Sequence, residues 1–174
     1  MADVYLQKVT QKVGTIRFHG VVDLNGFLKM MRDWLIDHKY LFFEREFKSK
    51  INPEGVKKEI SWTAYLEATE YAKYTIDLTM IFLNCIDVEV VKNGQKIKLT
   101  STRGLIEIAC TCELDPFKRF GGNKWLQALQ DWYHKYIIKR EILFIHLDGL
   151  YYHTLKLQRA IKEYLEFEAK TSAK

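Results

Sequence analysis

Proline is nearly absent from this 174-residue chain, with two residues in all, and glycine is sparse at nine. So few breakers exclude a collagen-like or Pro/Gly-rich disordered chain and leave packed secondary structure as the rule. Cysteine is scarce as well. Three of them, an odd number, argue against a disulfide scaffold and suit a reduced intracellular compartment. Apolar runs are short: Met80–Leu83 and Ile142–Ile145 span four residues each, so no transmembrane helix is expected. The opening stretch MADVYLQKVTQKV lacks an apolar core of signal-peptide length, so export by that route is not expected.

Spaced catalytic signatures are missing too. No G-x-S-x-G elbow, P-loop, G-x-G-x-x-G or H-E-x-x-H occurs, and none of Ser49, Ser61, Ser101 and Ser172 sits in a nucleophile context. The five histidines (His19, His38, His134, His146 and His153) are scattered, and no pair has the i, i+4 spacing of helical metal ligands. Cys110 and Cys112 alternate with Thr111 on an apolar strand pattern, which reads as two small buried hydrophobes. Glu67, Glu107 and Glu113 fall on the polar parity of their strands, facing solvent. The sequence therefore points to no catalytic residue, no cofactor and no metal, and to a protein that is not an enzyme.

What is present is ordinary globular material, 48% hydrophobic, 28% charged and 14% aromatic. No repeat or linker divides it, so residues 1–174 read as one domain. Val13–Val22 has strand character, with Ile16, Phe18 and Gly20 on one side. Asp23 is placed to cap a helix, and Leu24, Phe27, Leu28, Met31, Trp34, Leu35 and His38 recur at helical spacing up to Tyr40. The period then changes. Residues 41–51 alternate apolar with charged, Asn52-Pro53-Glu54-Gly55 is a turn, and residues 59–68 alternate again. Tyr74–Leu83 is apolar on both parities after Asp77, as in a central strand covered on both faces. Asn93-Gly94 turns a hairpin between Val88 and Leu99, and Ile106–Leu114 forms a further strand ended by Asp115-Pro116. Trp125, Leu129, Trp132, Tyr136 and Ile137 make one helical stripe; Leu147, Leu150, Tyr151, Leu155, Ile161, Tyr164 and Leu165 make another. A single helix across both would be about 65 Å long, against a radius of gyration near 16 Å for a domain of this size, so a break at Asp148-Gly149 is expected. The fold class is α+β: a meander of five to six antiparallel strands carrying an N-terminal amphipathic helix and two C-terminal helices.

Two surfaces stand out. Residues 1–87 hold 12 basic and 12 acidic side chains and residues 88–174 hold 15 and 10, so the whole excess of +5 lies in the second half. Lys92, Lys96 and Lys98 on the hairpin, with Lys118, Arg119 and Lys124 around Gly121-Gly122, are the candidate contacts to an anion or a nucleic acid. Lysines on a hairpin also guard edge strands. The second surface is aromatic. Tyr151 and Tyr152 are adjacent, about 100° apart around a helix, so one narrow buried stripe cannot easily take both. Trp132, Tyr136, Tyr151 and Tyr152 are therefore the candidate protein interface.

The run F-H-G-V-V-D-L-N-G-F-L-K-M-M-R-D-W-L (Phe18–Leu35), with D-W-Y-H-K-Y-I-I (Asp131–Ile138), resembles small α+β proteins of archaeal and viral genomes. Its motifs are packing motifs, and it implies no catalytic residues. It implies a virion or other assembly subunit, and hence a cytoplasmic or virion location. The function expected is that of a structural subunit contacting copies of itself or other subunits. The alternatives are a nucleic-acid-binding module, which needs the six basic residues on one face, and a carrier with an enclosed apolar cavity.

Overall fold

The computed structural model describes residues 8–69, 72–92, 95–114, 125, 128, 132 and 146–172. In chain order these form β1 (Lys8–Val22), α1 (Leu24–Asp37), β2 (Leu41–Asn52), β3 (Gly55–Glu67), β4 (Ala72–Lys92), β5 (Gln95–Leu114) and α2 (Asp148–Ser172). The strands make one antiparallel sheet in the order β1-β5-β4-β3-β2. Four consecutive strands meander from β2 to β5. The first strand closes the far side by pairing with the last, His19 opposite Arg103 and Ile16 opposite Ile106.

Alternation decides the faces. Ile60, Trp62 and Ala64 of β3, Ile76, Leu78, Met80 and Phe82 of β4, and Ile106, Ile108, Cys110 and Cys112 of β5 are all buried on one face. Both helices pack there: α2 lies over β1 and β5, and α1 reaches β2. Phe18, Phe27 and Phe82 meet with ring centroids 6.3–6.5 Å apart, and Tyr164 sits 5.6 Å from Phe27, so β1, α1, β4 and α2 share one aromatic centre.

The ends of α1 follow from its sequence. Asp23 accepts from the Gly26 amide through its carboxylate (3.0 Å) and from the Phe27 amide through its carbonyl (2.9 Å). At the other end Lys39 takes a positive φ of 63°. Its amide then reaches the Ile36 carbonyl, and the Tyr40 amide reaches that of Leu35. This is a Schellman closure without glycine, sealed by the buried pair Leu35 and Tyr40.

Several sequence expectations need correction. The segments read as separate strands around 74–83 and 88–92 are one 21-residue strand, and its partner runs 20 residues. A bulge lets the ladder continue: Asn84 adopts φ 55°, pairing resumes at Ile86, and Thr102 donates to the Leu83 carbonyl at 2.9 Å. Nor is β4 covered on both faces among the described residues, since Thr79 and Leu83 on its second face are exposed. The C-terminal helix is not broken at Asp148-Gly149. A π turn at His146–Leu147 runs straight into α2. One long C-terminal helix is therefore described rather than two, and of the stretch before it only Trp125, Ala128 and Trp132 are described, all helical. Lys92 pairs with Gln95, so two residues join β4 to β5; those two, like Asp115-Pro116, lie outside the described residues.

Candidate functional site

The expected aromatic surface is partly in view. Tyr151 and Tyr152 are 37% and 63% exposed, with ring centroids 6.3 Å apart, while Leu150, Thr154, Leu157 and Ile161 fill the buried side of the same helix. Trp132 is helical and 52% exposed. Tyr136 lies outside the described residues.

Of the expected basic residues, Lys96 and Lys98 are exposed on β5. Both look onto Glu89: Lys96 approaches it to 3.9 Å and Lys98 is its cross-strand partner. Their charge is thus partly answered within the hairpin. Lys92 belongs to β4, and Lys118, Arg119 and Lys124 lie outside the described residues, so the six are not brought together on one described face.

A third surface was not singled out from the sequence. Strand β2 is one edge of the sheet, β1 being the other, and among the described residues nothing pairs with the outer side of β2. Ten of its twelve residues are exposed, including Leu41, Phe43, Phe47 and Ile51. Edge strands left this way offer unpaired N–H and C=O groups to another chain. Alternation between apolar and charged residues in 41–51 was legible. Its position at the edge was not, because strand order is a tertiary property.

The edge is braced from within. Phe42 meets Trp62 edge to face at 4.7 Å, and the Trp62 indole donates to Glu44 at 3.1 Å. On the open face Phe43 stacks on Tyr65 at 5.4 Å, with the Lys73 ammonium 4.4 Å from the tyrosine centroid. A bulge at Arg45 shifts the β2–β3 register, and Glu46 and Lys48 then form an ion pair of 2.6 Å on the open face. That contact, foremost the hydrogen bond from Lys48 to Glu46, holds the lysine above its ordinary pKa.

Beside the bulge lies an open pocket of about 390 Å³, lined by Arg45, Glu46, Ser61, Thr63, Asp77 and Thr79 with Trp62 and Leu78. Thr63 donates to Asp77 at 2.7 Å, and Arg45 stands 4.0 Å from the same carboxylate. Such a lining does not suit the apolar ligand of a carrier.

Ionisable groups also gather between sheet and α2. Burial pushes the Cys112 thiol up to about 11, with Cys110 beside it adding to the effect. Cys110 is raised by burial too, with the Thr154 hydroxyl beside it acting in the opposite direction. Thiols held protonated are poor nucleophiles and poor metal ligands. Tyr74, pushed up to about 12 by burial, hydrogen-bonds the His146 ring at 2.8 Å. Tyr40 is raised chiefly by burial as well, and its hydroxyl has no hydrogen-bond partner among the described residues. Those residues hold no group of three side chains able to bind a metal ion, and no helix among them is long and apolar enough to cross a membrane.

No protein-family model matches the chain, and no curated protein matches it.

Proposed function

We propose that this protein is a non-catalytic structural or assembly subunit that works through protein–protein contacts. One observation carries the reading: four large apolar side chains, Leu41, Phe43, Phe47 and Ile51, are each more than half exposed along the outermost strand of the sheet. Water-exposed apolar surface aligned with unpaired backbone is what a partner strand covers. Tyr151 and Tyr152 add a second exposed patch on α2, of the residue type that anchors interfaces.

Light scattering coupled to size exclusion, with and without added nucleic acid, tests the reading. Mass above that of one chain, unchanged by nucleic acid, is the expected result. A sharp monomer that ignores nucleic acid contradicts assembly. A salt-sensitive shift on adding nucleic acid favours the basic hairpin as the working surface instead.

A further inference from the structure

The charge pattern of β2 identifies a partner. We propose that β2 pairs antiparallel with β2 of a second copy of this chain, about a two-fold axis through Phe47. Two five-stranded sheets then become one of ten strands, still within the size of open sheets. The proposal rests on the assembly reading above and adds the partner and the register.

The geometry leaves few choices. A two-fold axis that sets two copies of one edge strand antiparallel stands perpendicular to the sheet, so each face continues into the same face of the second copy. Directly opposed residues therefore point to the same side, and the axis passes through a residue position. Beyond the bulge at Arg45, β2 is regular from Glu46 to Asn52, and an axis at Ile51 or Asn52 would pair only the last residues of each strand. An axis at Glu46, Lys48 or Lys50 sets a charge against itself. At Ser49, Lys48 opposes Lys50 on both sides of the axis. Like charges directly opposed across a ladder are destabilising. An axis at Phe47 opposes Glu46 to Lys48 twice and leaves no like charges facing.

The remaining residues agree with that register. Phe47, opposite core residue Ile60 and 54% exposed, meets its own counterpart on the helix-covered face. Ile51, 85% exposed, comes against the Phe42–Phe43 end of the second copy. On the open face the Glu46–Lys48 pair of each copy joins the other in a ring of alternating charge. Main-chain hydrogen bonds supply the attraction, and the charges supply the register.

The test uses the full chain and two single charge reversals, E46K and K48E, followed by sedimentation velocity over a wide concentration range. Wild type is expected to dimerise. Each reversal sets like charges opposite each other twice and should weaken the dimer about tenfold or more. Mixing the two variants is the decisive arm: one edge carries two lysines and the other two glutamates, so the mixture should recover a heterodimer. Glu46, Phe47 and Lys48 are all exposed, and an unchanged thermal midpoint at low concentration shows that the monomer is intact; F47T, which removes the central ring without charge, should weaken the dimer too. A wild-type dimer untouched by E46K, K48E and F47T overturns the proposal while leaving assembly through another surface standing. Failure of the mixed variants to recombine overturns the register. Wild type that stays monomeric overturns both the proposal and the assembly reading.

Discussion

Gly104 and Phe18 face each other across β1 and β5, and the glycine is there because the ring occupies its place. A Cβ at 104 would run into the Phe18 ring, which is itself held against Phe27 and Phe82. Gly104→Ala is expected to cost about 1–3 kcal/mol of stability, the range for overpacked cores. Gly20, two residues further along β1, has open space around its added Cβ, and Gly20→Ala should change stability by less than about 0.5 kcal/mol. Urea midpoints of the two variants check the contrast. His153 gives a pH-dependent test. Burial, with Lys156 and His38 nearby, holds its pKa below the ordinary value of 6.5, and its Nδ1 has no hydrogen-bond partner among the described residues. Between that lowered value and about 6.5 the unfolded chain takes up a proton that the folded chain refuses. Stability should therefore rise with pH through this window and level off above it. His153→Leu should remove this part of the slope, so wild type should lose ground to the variant as pH falls from about 7 to about 5. Equal slopes would show that His153 is not held neutral by the fold.

At the scale of elements, α1 was the most legible part of the chain. Its apolar residues recur at 3–4, and Asp23 stands where a cap belongs; Leu24, Phe27, Met31 and Leu35 are indeed its buried stripe. Asp23→Ala should cost about 1 kcal/mol, because the Gly26 amide loses its acceptor. The far end is where sequence rules and structure part company. Glycine is the usual residue for the left-handed position, and Lys39 holds it instead at φ 63°. Lys39→Gly should stabilise by up to about 1 kcal/mol, read by thermal melting, since it relieves the Cβ clash. Strand lengths were harder to read. Asn84 interrupts the apolar run of β4, and nothing local reveals that a single residue in the left-handed region lets the strand pass through. The repair comes from Thr102, eighteen residues away in sequence. The helix at Asp148-Gly149 was not legible either: the size of a compact domain points to a break there, whereas the described helix runs from a π turn at His146–Leu147 through both residues into α2.

For the whole molecule, the sheet face toward the helices follows from alternation alone, because one parity of β3, β4 and β5 supplies most of the core. Which strand lies at the edge does not. It depends on β1 pairing with β5 rather than with β2, a contact between the first and last strands of the chain that leaves β2 at one edge of the sheet and β1 at the other. That step leaves Leu41, Phe43, Phe47 and Ile51 exposed along an unpaired edge, with Phe43 on the open face and, past the bulge at Arg45, Phe47 on the helix-covered one, and the proposed assembly function rests on it. The aromatic patch at Tyr151 and Tyr152 was legible from their adjacency, and both rings are exposed. It lacks the self-matching charge order of β2.

Amide hydrogen exchange of β2 at increasing protein concentration tests the central claim most directly. Every second residue of an edge strand turns its N–H outward, where water exchanges it quickly unless a partner strand covers it. The outward amides of Glu46–Ile51 are expected to slow progressively as concentration rises, while those bonded to β3 and those of the core strands β4 and β5 keep their rates. Outward β2 amides that exchange equally fast at every concentration, in a protein whose mass also stays that of one chain, would contradict the account.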